Sequence, residues 1–194
     1  MAKKSNVGER VMLNVIQNVI RSKYIPADQN HMVETNTHGR KGTMTCQIDC
    51  NKEETLLCSF DQRGHNNLLF PYFNEKHGFV SMCDYILFAE DHKNLFIFLI
   101  DMKDTSDSPK QQTGIAQTFA EFIISRITEI KGKDAFPKHV EYRRVGCKTA
   151  KTRLTTKGYS KLTYDVDGYI VLPDYHHFYT RWLMDLPRID NHLF

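Results

Sequence analysis

A run of six apolar residues in the middle of the chain ends in a carboxylate and an ammonium group placed two residues apart. The run covers residues 95–100 (LFIFLI), and Asp101 and Lys103 follow it with Met102 between them. In a β-strand, residues i and i+2 project from the same face, so Asp101 and Lys103 are expected to project together. The charged residues at the end of this strand are therefore either a solvated strand terminus or part of a reactive site.

A second carboxylate can reach the same place from the preceding strand. Residues 79–88 (FVSMCDYILF) and 95–103 are the two clearest strands, and AEDHKN between them suits a hairpin connection. If paired positions sum to 183, Asp84 lies diagonally across from Asp101 on the same face. If the connection is the two residues 92–93, the sum is 185 and the two aspartates lie directly opposite. An odd connection would place them on different faces.

Two carboxylates that face each other on adjacent strands repel unless a cation lies between them. Burying them unpaired is costly or forces one of them to take up a proton. Lys103 can compensate for part of this charge, and a divalent ion compensates better, with Mg²⁺ or Mn²⁺ suiting hard oxygen ligands. Beside a phosphodiester, such an ion polarises a phosphoryl oxygen and lowers the pKa of a bound water, while a lysine offsets the developing charge. These residues therefore predict a hydrolytic metal site.

The pattern CDYILF, a variable turn, FLIDMK and then a helix opened by glutamines resembles the PD-(D/E)xK nuclease superfamily, which has the restriction-endonuclease-like fold with an αβββαβ core. The resemblance covers roughly residues 79–147. It implies that Asp84 is the first acid of the motif, Asp101 the second acid and Lys103 the motif lysine. It also implies that the main-chain carbonyl of Met102 is a further metal ligand.

Many members of this superfamily carry a glutamine on the next helix that helps to position the site. Gln117, in GIAQTF, is the best match, with Gln112 second. Cys83 stands before the first acid, where proline is usual, and the second acid is Asp101 rather than the commoner glutamate, so its reach is one methylene shorter. Some members add a glutamate on the first helix, and Glu9 is the only acid early in that helix.

The other segments predict the elements around this hairpin. Apolar residues at helical spacing predict a helix over 6–23, and residues 26–42 are polar and irregular, as in a loop. Further strands are expected at 43–50 and 55–61, joined by the polar turn NKEE, then at 139–147 and 168–173, with a closing helix over YHHFYTRWLMDL. The segment QQTGIAQTFAEFIISRITEI predicts a helix with one apolar face, made of Ile115, Phe119, Phe122, Ile123, Ile127 and Ile130.

This order of elements predicts an α/β (α+β) fold, in which helices flank a central mixed β-sheet. The resemblance implies a restriction-endonuclease-like αβββαβ core within it. At 194 residues the chain fits one nuclease-like domain, 1–194. Its parts are expected to be an N-terminal helix in 1–25, the core in 43–147, and a basic loop, last strand and closing helix in 148–194.

A basic cluster lies near the end of the expected core, whereas the formal net charge of the chain is only +3. Its seven cations are Arg143, Arg144, Lys148, Lys151, Arg153, Lys157 and Lys161. They are either a solvated surface or a patch that follows a nucleic-acid backbone by binding phosphates. Tyr159 and Tyr164 lie within or beside the cluster and could stack on bases.

Five cysteines are an odd number in a chain that opens without a secretory signal, which favours a reduced, cytoplasmic compartment. Cys46, Cys50 and Cys58, with His38 and His65, could hold zinc, but their spacings differ from those of zinc knuckles. Burial as small hydrophobic residues is the alternative. No apolar run approaches the roughly 18–20 residues of a membrane span, so no membrane partner is expected.

Together these features predict a Mg²⁺- or Mn²⁺-dependent nuclease that hydrolyses phosphodiester bonds, with DNA favoured over RNA. For a small member of this superfamily, the resemblance implies a role in defence against phage or foreign DNA, as a homodimer or as a subunit of a larger system. One alternative is a non-catalytic module on the same fold that binds nucleic acid or a partner. Another is an unrelated α/β domain in which Asp101 and Lys103 only end a strand.

Overall fold

A computed structural model describes residues 11–36, 42–49, 55–61, 81–91, 94–103, 110–132, 139–148, 162, 164–165, 168–172 and 177–187. The helices are α1 (Val11–Val19), α2 (Lys110–Lys131) and α3 (Thr180–Met184), with a 3-10 turn at Ser22–Tyr24. The strands are β1 (His31–Asn36), β2 (Gly42–Asp49), β3 (Thr55–Cys58), β4 (Tyr85–Asp91), β5 (Asn94–Lys103), β6 (His139–Lys148), β7 (Tyr169–Leu172) and β8 (His177–Tyr179).

The larger sheet has five strands in the order β3-β4-β5-β6-β7. Strands β3, β4 and β5 form an antiparallel meander, and β6 runs parallel to β5 after the crossover through α2. A parallel neighbour requires such a long connection, usually a helix. Strand β5 is the central strand, and residues 95–102 are all buried. Burial on both faces explains why its sequence is a continuous apolar run rather than an alternation.

The smaller sheet has three strands in the order β1-β2-β8 and covers one face of the larger sheet. Alternate residues of β5 separate into two cores, because successive side chains point to opposite faces. Phe96, Phe98 and Ile100 pack toward the smaller sheet, whereas Ile97 and Leu99 pack toward α1 and α2. The molecule is thus a mixed α+β structure with two mixed sheets, and the predicted class is confirmed at that level.

The buried side of α2 differs in part from the predicted one: Ile127 is buried, and Ile115, Phe119 and Ile123 pack partly buried against the same core, as predicted. Ala116 and Ala120 lie against the sheet together with Ile127, whereas Phe122 is 60% exposed and Ile130 is 67% exposed. The expected burial of Phe122 and Ile130 is therefore wrong. The two alanines carry little hydrophobic weight in a sequence pattern, so a search for large apolar residues does not identify them as buried.

Three predicted elements also differ from the structure. Residues 31–36 form strand β1 in what was expected to be a loop, and β1 pairs with β2. Strands β2 and β3 exist but belong to different sheets, so they do not pair with each other. The expected closing helix contains strand β8 and only a short helix α3. The pairing of β2 with β8 joins segments that are distant in sequence, whereas β1 and β2 are neighbours along the chain.

The first helix ends earlier than the predicted residue 23. Helix α1 ends at Val19, and the 3-10 turn that follows carries Tyr24 into the core. There the ring of Tyr24 lies 5.2 Å from that of Phe60. Packing of this aromatic pair against the helices favours a turn over continuation of the helix. Of the helices in the described part of the chain, none is both long and apolar enough to cross a bilayer.

Candidate active site

The register of the β4–β5 hairpin settles the geometry of the two aspartates. Tyr85 pairs with Ile100 and Asp91 pairs with Asn94, so paired positions sum to 185 and the connection is the two residues 92–93. Asp84 immediately precedes β4, and continuing this register by one residue places it directly opposite Asp101. Opposite positions on antiparallel strands have Cβ atoms about 4.5–5.5 Å apart and share a face. Of the alternatives that the sequence allowed, direct opposition is the one observed.

Asp84 is fixed to the end of β5 by a hydrogen bond. The main-chain N–H of Met102 donates to Oδ2 of Asp84 at 2.5 Å. Asp84 is partly exposed, whereas Asp101 is completely buried. The carboxylate of Asp101 thus lies inside the protein, whereas that of Asp84 is partly accessible to solvent. A site built in this way has a dry, low-dielectric interior and an outer edge that solvent reaches.

The pKa of Cys83 reflects the negative electrostatic potential of this region. Its buried thiol donates a hydrogen bond to the carbonyl oxygen of Tyr85 at 3.1 Å. Burial raises the pKa of Cys83 well above its ordinary value, and the charges of Asp84 and Asp101 raise it further. Both carboxylates therefore create a negative potential at the same place. Such a potential attracts a cation.

The donor set fits a hard divalent cation. Two carboxylates that share a face at one end of adjacent strands can supply oxygen ligands to Mg²⁺ or Mn²⁺. In the described ranges no group of three or more His, Cys, Asp or Glu side chains is arranged to hold a metal. Asp84 and Asp101 are the two candidate side-chain ligands that the hairpin register brings together, and waters or a main-chain oxygen such as that of Met102 would complete the coordination. Mg²⁺ commonly retains several waters in proteins.

Lys103 is the last residue of β5, and its main chain pairs with that of Lys148 in β6. The side chains of both lysines lie outside the described part of the structure. The predicted role of Lys103 as the motif lysine therefore remains a prediction. Its main-chain position, two residues after Asp101 in the same strand, is the one that the sequence pattern requires.

Gln117 contacts a basic residue instead of the aspartates. Its Oε1 accepts a hydrogen bond from Nε of Arg144 at 2.9 Å, and its Nε2 donates to Oε1 of Glu121 at 2.9 Å. The guanidinium of Arg144 also lies over the ring of Tyr169, 5.8 Å from its centroid. These contacts join α2 to β6 and β7. The sequence identified Gln117 and Arg144 separately and gave no sign that they are partners.

Arg143, the residue before Arg144, lies on the other side of β6 and is only 2% exposed. Its Nε and Nη2 donate to Oε1 of Glu141 at 2.8 and 2.6 Å, and Nη2 also donates to the carbonyl oxygen of Leu186 at 2.8 Å. The guanidinium stacks over Phe96 at 5.0 Å. Arg143 therefore points into the protein core, a position that does not suit the predicted phosphate contact, because adjacent residues of a strand face opposite sides.

The rest of the predicted basic patch, Lys151, Arg153, Lys157 and Lys161 together with Tyr159, lies outside the described residues. Tyr164 is described, and it packs half-buried against the core between the sheets. Cys46, Cys58, Cys83 and Cys147 are free thiols and buried. Cys46 and Cys58 lie in different sheets, and Cys50, His38 and His65 fall outside the described ranges. The described cysteines thus match the expectation of buried small residues.

Thr113 and Tyr169 were not identified from the sequence. Thr113 is buried on α2, and its Oγ1 lies 2.7 Å from the hydroxyl oxygen of Tyr169 in β7. The spacing of Thr113, Gln117 and Glu121 at i, i+4 and i+8 would have indicated that they form one polar row on the helix. That row faces β6 and β7, as the contacts of its first two members show.

Comparison with known proteins identifies no relative: no family model matches the chain, and no curated protein and no solved structure matches it at a significant level. The geometry and chemistry of the site therefore have to support any functional conclusion by themselves.

Proposed function

We propose that this protein is a Mg²⁺- or Mn²⁺-dependent nuclease that hydrolyses phosphodiester bonds at the site formed by Asp84 and Asp101. The observation that carries this proposal is the direct opposition of the two carboxylates across the β4–β5 hairpin, with one of them fully buried. A protein gains no stability from holding two like charges opposite each other. A divalent cation bound between the two carboxylates would offset their repulsion and would explain why they face each other.

The order of elements gives further support. Along the chain, α1 is followed, after the β1–β2 hairpin, by the antiparallel strands β3, β4 and β5, then by α2 and the parallel strand β6. Apart from the inserted β1–β2 hairpin, this succession is compatible with the αβββαβ order that the resemblance to the PD-(D/E)xK superfamily implies, which supports the proposal. The two carboxylates occupy the central hairpin of that order, at the end of β5 where the crossover to β6 begins.

The chain's own residues would contribute in different ways. Asp84 is oriented by the Met102 N–H, which fixes one of its oxygens relative to β5. Asp101 lies away from water, where its attraction to a cation is stronger than at a surface. A bound metal would supply polarisation of a phosphoryl oxygen and a water of lowered pKa. Lys103 is the proposed group that offsets charge developing on the phosphate.

We propose DNA rather than RNA as the substrate, and defence against foreign DNA as the biological role. Both proposals rest only on the resemblance to the PD-(D/E)xK superfamily. The competing proposal is a non-catalytic module on the same fold that binds nucleic acid or a partner protein. The two proposals differ in their dependence on metal. Cleavage requires a divalent ion, whereas such a module would bind nucleic acid in the presence of a chelator.

Incubation of the purified chain with plasmid, linear DNA and RNA, with Mn²⁺, Mg²⁺ or EDTA, tests the proposal directly. Cleavage is expected with either metal and not with EDTA. Asp84→Asn, Asp101→Asn and Lys103→Ala are each expected to abolish it while circular dichroism remains that of the folded protein. Asp185→Asn is the matched control, because Asp185 is an exposed aspartate at the end of α3.

Normal cleavage by all three site variants would rule out this assignment. Binding of nucleic acid in EDTA without cleavage in either metal would favour the non-catalytic module. Neither binding nor cleavage, with no change in melting temperature on adding metal, would leave both proposals without support, because a ligand that binds the native state raises its stability.

A further inference from the structure

Two buried cysteines from different sheets face each other in the core between the sheets. Cys46 belongs to β2 and Cys147 to β6, and both side chains are completely buried. Cys46 lies between Met44 and Ile48 on the side of β2 that faces the larger sheet, because alternate residues of a strand share a face. Cys147 belongs to the same buried cluster. The two thiols therefore enter one core from opposite sides.

A hydrogen bond between the two thiols brings them into direct contact. This hydrogen bond is the largest cause that raises the pKa of Cys147 well above its ordinary value, and burial is the next. The thiol of Cys46 also donates to the main-chain carbonyl oxygen of Gln47 at 3.9 Å. Two cysteines whose side chains point apart cannot be bridged without movement of the backbone. Cys46 and Cys147 point toward each other, so this obstacle does not apply to them.

The other two described cysteines provide an internal comparison. Cys58 and Cys83 lie in the second core, on the side of the larger sheet that packs against α1 and α2. Burial raises the pKa of Cys58 to about 12, and burial followed by nearby aspartates raises the pKa of Cys83. Contact with another thiol is a cause in neither case. The thiol–thiol contact is thus a feature of Cys46 and Cys147 and does not follow from burial alone.

We propose that Cys46 and Cys147 are a redox-sensitive modification site that forms a disulfide bond between the two sheets. The oxidant is a low-molecular-weight disulfide of the glutathione class. The thiolate of one cysteine attacks this disulfide, which gives a mixed disulfide and releases one small thiol. The thiolate of the other cysteine then attacks the protein sulfur of the mixed disulfide, which forms the Cys46–Cys147 bond and releases the second small thiol. The protein loses two protons and two electrons, and the oxidant gains them.

Burial controls when this reaction occurs. The thiolate is the reactive form, and the raised pKa of Cys147 keeps its thiol protonated in the folded protein. An oxidant also cannot reach a completely buried thiol until the two sheets separate. The pair therefore stays reduced in the closed structure and reacts through transient opening of the core.

Oxidation of the full chain with excess oxidised glutathione, at a series of urea concentrations below the unfolding transition, tests this proposal. Cys50→Ser serves as the background, because trypsin would otherwise release Cys46 and Cys50 in one peptide. After the remaining thiols are alkylated, mass spectrometry of the tryptic digest is expected to find residues 42–52 joined to residues 145–148. Reduction is expected to separate the two peptides. Added urea is expected to accelerate formation of the link, because it favours opening of the core.

The linked form is expected to melt about 5–10 °C above the reduced form, because the disulfide closes a loop of roughly 100 residues in the unfolded chain. Cys46→Ala and Cys147→Ala are each expected to lose both the link and this shift. Cys58→Ala is the matched control, since it removes a buried cysteine from the other core and is expected to keep both. The peptide map of the Cys50→Ser chain identifies the pairing even if an alanine variant does not fold.

Recovery of Cys46 and Cys147 in alkylated or glutathione-bound form at every urea concentration, without the link between their peptides, would overturn the proposal. A link from either residue to Cys58 or Cys83 in its place would overturn it as well. None of these measurements involves nucleic acid or metal, so the proposed nuclease function stands or fails separately.

Discussion

At the scale of single residues, Asp101 is a carboxylate that is completely buried in the described structure. A fully buried carboxylate lies opposite a second carboxylate, and both raise the pKa of the Cys83 thiol after burial itself has done so. A stable fold tolerates such a cluster when function requires it, as at many metal sites. The consequence can be tested without any assay of catalysis.

Asp101→Asn is expected to raise the melting temperature in EDTA by about 2–4 °C, because it removes one of two opposed negative charges at a gain of about 1 kcal/mol. The proposed metal site predicts that Mn²⁺ raises the melting temperature of the wild type, and the same variant is expected to lose that rise. Differential scanning fluorimetry with EDTA and with Mn²⁺ measures both effects. A lower melting temperature in EDTA combined with an intact response to Mn²⁺ would contradict this expectation.

Arg143 is a second residue whose role differs from its sequence-based prediction. Arg143→Ala is expected to lower the free energy of unfolding by about 3–5 kcal/mol, because it removes the buried guanidinium that pairs with the Glu141 carboxylate. The double variant Arg143→Met with Glu141→Gln is expected to recover much of this loss. Urea denaturation measures the change. If the single variant instead weakened DNA binding and kept its stability, Arg143 would belong to the binding surface after all.

At the scale of elements, a tyrosine joins the edge strand β1 to the larger sheet. The hydroxyl of Tyr85 donates to the carbonyl oxygen of Val33 at 2.9 Å and accepts from its N–H at 2.9 Å. Tyr85 is the first residue of β4 and immediately follows Asp84. Packing of the smaller sheet therefore anchors the start of the strand that Asp84 immediately precedes.

Tyr85→Phe is expected to cost about 1–2 kcal/mol of unfolding free energy, because two hydrogen bonds to a partly buried strand are lost. The amide of Val33 is expected to exchange with solvent deuterium faster than in the wild type. Hydrogen exchange followed by NMR or mass spectrometry measures this. Tyr24→Phe, a change of the same kind away from β1, serves as the control, and equal exchange in both variants would argue against the anchoring role.

At the scale of the whole molecule, the two sheets share one core. The cluster between them contains Met32, Cys46 and Ile48 from the smaller sheet and Phe98 and Ile100 from the larger one. The side chains of both sheets therefore lose their burial together if either sheet unfolds. This arrangement favours a single cooperative transition.

Trp182 allows this cooperativity to be tested, because it is the only tryptophan of the chain and packs against the shared core from α3. Its fluorescence and the far-ultraviolet circular dichroism are expected to change at the same urea concentration. An earlier fluorescence transition would mean that the smaller sheet and α3 unfold independently of the five-stranded sheet.

The sequence by itself determined the parts of the molecule that depend on local pattern. The continuous apolar run of β5 predicted a strand, and the polar connection before it indicated a hairpin with β4. The helix α2 followed from its apolar periodicity, and the expectation that Asp84 and Asp101 can share one face followed from the period of two in strands. These features depend on residues that are close together along the chain.

The tertiary structure decided what depends on distant partners. The register that places Asp84 directly opposite Asp101 was one of several that the sequence allowed. The partition of β1, β2 and β8 into a separate sheet, the burial of Arg143 and the contact of Arg144 with Gln117 each join segments whose pairing has no local signal. Periodicity tells which side of an element is apolar, but only packing determines which element meets that side.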